Sequence, residues 1–342
     1  MNNNKSKGKD RAIKVSLPGK LNAGVIGVGN MGQHHARNYH EIPKTNLVAI
    51  ADTDPGIGKQ IAKKYDANYY ADYREMLSKE KIDLITIAVP TKFHKTVALD
   101  CIAKKINILI EKPIAGTVAE AKEIIHKAKQ KGVKFTVGHI ERFNPAVIKL
   151  KEMVDSGKLG KIVSVTALRL GPMPNQIKDA NVAIDIGVHD IDIMNWFFGR
   201  LPEKCSACGG NVLNRTRQDH VEVFLDYGEA SGYLSANWIT PIKVRKLTVS
   251  GEKGFVELNY ITQELDFYQT NMSLEVDDFG EFLVRFGDHH DKKTIPVKNV
   301  EPVKAEILSF TEAITKNKRP MVTAREAIEA LDIAQKINRL IR

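Results

Sequence analysis

Two clusters in the sequence carry residue types able to move a proton to or from a hydroxyl group. Asp185-Ile186-Gly187-Val188-His189-Asp190-Ile191-Asp192 is the first. If Gly187 opens a helix, His189 and Asp192 stand three residues apart and share a face. A histidine can take a hydroxyl proton near neutral pH, and a carboxylate beside it can hold the ring's orientation. The alternative is Asp185 as a helix cap and His189 as an ordinary buried histidine. Glu111-Lys112-Pro113, directly after the apolar run Asn107–Ile110, is the second. A lysine at the carboxyl end of a strand can polarise or orient a hydroxyl, and Pro113 restricts the local backbone. The alternative is a surface lysine in a salt bridge.

A third motif points to a cofactor. Gly27-Val28-Gly29-Asn30-Met31-Gly32 has the spacing G-x-G-x-x-G, follows the apolar run Leu21–Gly27 and opens a helical pattern. Gly27 permits the tight turn, Gly29 lets the backbone approach a pyrophosphate, and Gly32 lets helix and strand pack closely. Asp52 lies 20 residues after Gly32. A carboxylate there accepts hydrogen bonds from a ribose 2′-hydroxyl and repels a 2′-phosphate, which favours NAD over NADP. Val89-Pro90-Thr91 ends a later apolar run. Pro90, Thr91, His94 and Glu111 are therefore candidate contacts on the nicotinamide side, because ligands of open α/β sheets lie outside the carboxyl ends of strands. His94 has an alternative as a partly exposed histidine at a helix start.

These residues need elements to position them. From 21 to 140, Leu21–Gly27, Asn46–Ala51, Asp83–Val89, Asn107–Ile110 and Lys134–Val137 read as buried parallel strands. Helical stretches alternate with them, near 31–41, 55–65, 72–79, 92–104 and 117–131. Thr117 and Glu120 suit the start of the last one, and Gly132 its end. The alternation predicts a doubly wound α/β domain. Asn144-Pro145 then suits the start of another helix, with Gly157 as its stop. Beyond residue 160 six strand-like runs follow: 161–170, 204–213, 220–227, 231–239, 244–250 and 254–258. They predict a second α/β domain with a large, mostly antiparallel open sheet. A helix near 187–198 interrupts them, and helices near 303–316 and 323–341 end the chain. The expected organisation is a basic flexible tail at 1–20, a dinucleotide-binding domain at 21–140, and a substrate-binding and oligomerisation domain at 141–342.

Composition narrows the function classes. With 342 residues, 43% hydrophobic and 27% charged, the chain is neither disordered nor fibrous. No apolar run reaches the roughly 20 residues that span a bilayer. Half of the net charge of +10 sits in residues 1–20, and no nucleic-acid-reading motif accompanies it. Cys205-x-x-Cys208 is half of a zinc knuckle with no second pair, so no metal is expected. The three cysteines suggest a reducing compartment, and no secretory signal is evident, so the expected location is cytoplasmic.

Together, Gly27-x-Gly29-x-x-Gly32, Glu111-Lys112-Pro113 and Asp185-x-Gly187-x-His189 resemble the Gfo/Idh/MocA oxidoreductase family over residues 21 to 342. The resemblance implies a Rossmann domain followed by an open-sheet domain, NAD as cofactor, and Lys112, Asp185 and His189 lining the active site. It also implies pairing through open sheet faces into a homodimer or homotetramer. A narrower resemblance is to its UDP-N-acetylglucosamine 3-dehydrogenase branch. It rests on Gly138-His139-Ile140-Glu141-Arg142-Phe143-Asn144-Pro145, Arg169-Leu170-Gly171-Pro172 and the doublet His34-His35. It implies oxidation of the C3 hydroxyl of a nucleotide sugar, feeding 3-amino sugar synthesis of the lipid A type. A diphosphate needs cationic partners. Arg142, Arg169 and Lys178, with Asn144, are the substrate-binding candidates, and each cation has a structural salt bridge as its alternative. Other sugar or inositol dehydrogenases of the same family, and a non-enzymatic NAD-dependent sensor, are the competing readings.

Overall fold

The apolar runs between 21 and 140 assemble into one twisted sheet. The computed structural model describes residues 19–173, 181–213, 217–269 and 292–341. The strands are β1 (Leu21–Ile26), β2 (Thr45–Ala51), β3 (Asn68–Tyr70), β4 (Leu84–Ile87), β5 (Asn107–Ile110) and β6 (Phe135–Val137). Their order is β3-β2-β1-β4-β5-β6, and the pairs β1–β2, β1–β4, β2–β3 and β4–β5 are parallel. This is the doubly wound arrangement, with its switch point between β1 and β4. Val25, Ile50, Ile85 and Leu109 are fully buried in it. Strand β3 is an addition to the sequence reading. It is only three residues long, and its Asn-Tyr-Tyr sequence gives no apolar run.

The helices begin where local chemistry favours it. α1 (Asn30–Glu41) starts at the glycine turn. α2 (Pro55–Lys64) has Pro at its first turn, and the Asp54 side chain accepts the Gly56 and Ile57 amides. Asp72 caps α3 (Tyr73–Lys79) in the same way. α4 (His94–Ala103) and α5 (Val118–Lys131) follow, and Thr117 Oγ1 accepts the Glu120 amide.

The second sheet has eight strands. β7 (Ile162–Leu170), β8 (Lys204–Gly210), β9 (His220–Asp226), β10 (Ser231–Asn237) and β11 (Val244–Gly251) are followed by β12 (Gly254–Asn259), β13 (Glu264–Gln269) and β14 (Lys292–Thr294). The order is β14-β13-β12-β11-β7-β10-β9-β8. Every pairing is antiparallel except β7 with β10. β13 and β14 are further additions to the sequence reading: β13 is six residues with only Leu265 and Phe267 buried, and β14 is a polar edge strand of three residues. One face packs against α6 (Pro145–Asp155), α7 (Val188–Phe198) and the last helix, α9 (Ala324–Leu340), through Leu150, Ile191, Met194, Leu234 and Ile337. The other face is exposed at Phe224 and Tyr233. Asn144 caps α6 by accepting the Ala146 amide, Gly199 ends α7 at φ +64°, and Thr323 with Glu326 forms a capping box on α9. α8 (Pro302–Thr315) precedes α9.

The chain forms two units, and each gathers separate stretches. The first holds the chain through Glu111 together with Glu123–Thr136 and Ile307–Met321. The second holds Lys112–Lys122, Val137–Glu306 and the chain from Val322 onward. Glu111 and Lys112 are chain neighbours assigned to different units, and Lys112 belongs with Asp185 and His189. No described helix is long and apolar enough to cross a membrane.

Candidate active site

In the first unit the glycine turn is dictated by close contacts. Gly27 has φ +84°, and a Cβ there would stand 2.7 Å from the Ala88 carbonyl oxygen. A Cβ on Gly32 would lie 1.9 Å from the Gly27 carbonyl oxygen. Gly29 differs, because a Cβ there would meet nothing within 4 Å. The space beside it stays open, α1 has no side-chain cap, and its first turn holds no acidic residue. With Asn30 and Met31 in that first turn, the helix start offers backbone amides and a favourable dipole to an anion. Asp52 ends β2 as expected, but its carboxylate also serves the turn. Oδ2 accepts the Val28 amide at 2.7 Å and Oδ1 the Asp54 amide at 2.9 Å. These residues fit the pyrophosphate and ribose of NAD.

The other cofactor candidates separate. Pro90 and Thr91 remain at the surface beyond β4. His94 is buried at 1% exposure, and its Nε2 bonds the Val89 carbonyl at 2.9 Å. It braces the turn after β4 and is more deeply buried than the partly exposed histidine that the sequence allowed. Glu111 is buried too. Its Oε1 lies 2.9 Å from His35 Nε2, His35 Nδ1 is 3.3 Å from Thr86 Oγ1, and Thr86 is 2.7 Å from the Tyr39 hydroxyl. This buried chain anchors the end of β5.

The second unit brings Lys112, Asp185 and His189 into one electrostatic cluster. A π-helical turn, Ala183–Gly187, runs directly into α7 and carries Asp185. Lys112 Nζ donates to Asp185 Oδ1 at 2.8 Å and to its carbonyl at 2.5 Å. Asp185 is therefore the partner of Lys112, and Asp192, the carboxylate expected beside the His189 ring, is held by Arg142 instead. His189 is buried, and its ring makes no hydrogen bond to any described residue, with Nδ1 fully enclosed. Burial, then the charges of Lys112, Arg169, His139 and Arg245, push its pKa well below the ordinary 6.5. The neutral imidazole is thus the stable form at neutral pH. The His139 ring stands edge-on to it, with centroids 6.3 Å apart.

Two buried arginines frame this cluster, and their roles differ from the substrate contacts suggested by the sequence. Arg142 holds Asp192 bidentately, with both contacts at 2.7 Å, and donates to Glu326 at 2.8 Å. Arg169 holds Asp190 at 2.5 and 3.0 Å and Glu141 at 2.9 Å, and the Tyr260 hydroxyl also donates to Asp190. Burial opposes both charges, but these carboxylates outweigh it and raise both pKa values. Each guanidinium is consumed by internal ion pairs, the structural alternative. Asn144 is likewise committed, with its amide donating to the Tyr260 carbonyl. Lys178 lies outside the described residues.

Sequence reasoning missed Glu141, Tyr260 and Arg245. Arg245 had a signal. In β11 it alternates with Leu247 and Val249 on the core face, where a charge needs a reason. Its Nη1 donates only to the carbonyls of Leu170 and Val244. Burial, then the Arg169 charge, lower its pKa to about 10. The two cysteines of the x-x motif both lie on β8, three residues apart, and so point to opposite faces. Among the described residues no group of three or more His, Cys, Asp or Glu is placed to hold a metal ion.

Comparison with known proteins agrees with this architecture. Residues 21–139 match the model of an oxidoreductase family with an NAD-binding Rossmann fold, and residues 147–257 match the Gfo/Idh/MocA C-terminal domain. The scyllo-inositol 2-dehydrogenase (NAD(+)) of Bacillus subtilis is 26% identical over 92% of both chains. An inositol 2-dehydrogenase of Rubrobacter xylanophilus is 30% identical over a stretch that spans 56% of each chain. The UDP-N-acetylglucosamine 3-dehydrogenase of Acidithiobacillus ferrooxidans superposes with a TM-score of 0.82 at 21% identity, covering 94% of this chain and 98% of that one. With two family models covering most of the described sequence, and with a glycine turn that fits NAD, the chain belongs to the Gfo/Idh/MocA oxidoreductase family and takes NAD as its cofactor.

Proposed function

We propose that the protein oxidises a secondary alcohol on a sugar ring, specifically the C3 hydroxyl of UDP-N-acetylglucosamine, to the ketone. The observation that carries the chemistry is His189, a buried, neutral imidazole with no hydrogen-bond partner among the described residues, in the field of the Lys112 ammonium. In this reading His189 accepts the hydroxyl proton. Lys112 donates to the same oxygen and stabilises the alkoxide character that develops there. Asp185 positions Lys112 through the observed bond. NAD, when bound, accepts the hydride from the ring carbon at C4 of its nicotinamide. The proposed division of labour gives residues 21–140 to the cofactor and 141–342 to the substrate, with 1–20 as a tail.

The substrate assignment is supported by the narrower sequence resemblance and by the fold shared with the Acidithiobacillus enzyme. A 3-keto nucleotide sugar is a substrate for a transaminase, which fits a role in 3-amino sugar synthesis of the lipid A type. A second reading, oxidation of an inositol, is favoured by the names of the inositol dehydrogenases among its relatives. The exposed sheet face with Phe224 and Tyr233 supports assembly into a homodimer or homotetramer. Cytoplasmic location completes the reading.

The deciding experiment mixes the protein with NAD and UDP-N-acetylglucosamine, adds a 3-aminotransferase and glutamate to draw off the ketone, and follows reduced nicotinamide by absorbance. Signal that depends on the nucleotide sugar supports the proposal. Signal with myo- or scyllo-inositol alone replaces it with the second reading.

A further inference from the structure

We propose that Arg245 is the anion receptor of the substrate site, binding the phosphoryl group of a nucleotide-linked or phosphorylated sugar. The inference rests on the alcohol-oxidation reading and deepens it, because it states the charge that the substrate must carry.

Arg245 of β11 lies directly opposite Arg169 of β7 in the sheet register. Like charges at directly opposed positions destabilise a strand pair. Arg169 is relieved of this by Asp190 and Glu141, which hold its guanidinium from two sides. Arg245 feels the charges of Asp190, Glu141 and Asp185 but is held directly by none of them. No described carboxylate lies within ion-pair distance of it, and its hydrogen bonds among the described residues run from Nη1 to Leu170 O at 2.5 Å and from Nη1 to Val244 O at 2.7 Å. A guanidinium has five N–H donors, so most of its fork is left for a ligand.

The surroundings hold that fork in one orientation. The two carbonyls fix the guanidinium plane, and Gly171 stands beside it. A Cβ on Gly171 would lie 3.8 Å from both Nη1 and Nη2, so the missing side chain leaves that end of the fork bare. Arg245 also shares the catalytic cluster: its charge acts on His189, and the charge of Asp185 acts on it. A planar, pre-oriented fork that no described carboxylate holds directly matches a phosphoryl group bidentately. Arg142 and Arg169 are the controls within the same unit, since their forks are filled by carboxylates.

The test compares wild type, Arg245→Gln and Arg245→Lys in steady-state NAD reduction with UDP-N-acetylglucosamine, with glucose 6-phosphate, and with uncharged N-acetylglucosamine and myo-inositol. UDP binding to the NAD-loaded enzyme is measured by calorimetry. Losing a charge-assisted contact should raise KM for the phosphorylated substrate, and Kd for UDP, about 10- to 100-fold in Arg245→Gln. Arg245→Lys should fall between, and KM for NAD should not change. Gly171→Val leaves Arg245 in place but puts side-chain atoms beside its Nη atoms. It should raise the same constants, which keeps the test decisive if Arg245→Gln folds poorly.

Each other outcome is assigned. If both enzymes oxidise UDP-N-acetylglucosamine with equal KM, the function stands and the role of Arg245 is overturned. If wild type rejects UDP-N-acetylglucosamine but oxidises glucose 6-phosphate with a KM that rises in Arg245→Gln, the proposed substrate falls and Arg245 stands. If only uncharged polyols react and their KM ignores the substitution, both fall.

Discussion

In the parallel-sheet unit the ligand site is built from backbone: Gly27 and Gly32 bring main chains into contact, Gly29 leaves room, and α1 supplies amides. The polar centre of the other unit is built from side chains that arrive from many places. Lys112 follows β5, Glu141 and Arg142 sit on a single 3-10 turn, Asp185 lies on a π turn, His189, Asp190 and Asp192 lie on α7, and Arg169 and Arg245 stand on adjacent strands. A backbone site is specified by a few residues at fixed short spacing. A side-chain site is specified by sheet register and helix rotation. The first tolerates few substitutions at its glycines. The second holds ion pairs whose members fail if separated.

That contrast is open to direct attack. The largest effects belong to the catalytic pair. Lys112→Met should lower kcat by about 10²- to 10³-fold, the usual loss when an oxyanion-stabilising donor is removed. NAD affinity, measured by fluorescence titration, should stay near wild type, and undiminished turnover would refute the role. Next is the ion-pair scaffold. Arg142→Ala leaves Asp192 charged and buried, so chemical denaturation should show a loss of about 3–5 kcal/mol. A variant of unchanged stability would remove the structural role assigned to that arginine.

The glycines give a smaller and split effect. Gly29→Ala should fold normally, since nothing stands within 4 Å of its Cβ, yet weaken NAD binding by roughly tenfold, about 1.4 kcal/mol. Gly32→Ala should unfold the unit at lower denaturant, because its Cβ would overlap a carbonyl. Equal behaviour of the two variants would erase the distinction between room for ligand and room for packing. The mildest effect is on pH dependence. His189 has a depressed pKa, so its base form persists below the ordinary 6.5, and the acid limb of kcat/KM should lie below that value. A limb at or above 6.5 would show a different base.

The sequence was most informative where spacing alone decides structure. G-x-G-x-x-G, the Asn144 cap and the Thr117 start all depend on neighbours within a few residues, and each is found in place. The catalytic types at 112, 185 and 189 were legible as chemistry, but their pairing was not. Only the π turn shows that Asp185 faces Lys112 and leaves His189 without a partner. Arg142 and Arg169 are cations whose partners lie at 192, 326, 190 and 141, and one sequence carries no record of such long-range pairing. The sequence likewise carried no record of the bonds that His94 and Glu111 make to Val89 and His35. Position at a strand's carboxyl end places the backbone near a crevice but does not fix which way a side chain turns.

The one parallel pairing in the second sheet, β7 with β10, bears on how the chain is made. On the ribosome all six strands of the first sheet have been synthesised once Val137 has been added, and its neighbours in sequence are largely neighbours in space. β7 ends at Leu170 but must wait for residues 231–237 on one side and 244–251 on the other. Until then Arg169 has no cross-strand partner, and the Tyr260 ring that covers it does not yet exist. Such non-local pairing is slow, and it leaves a nascent strand edge open to wrong partners.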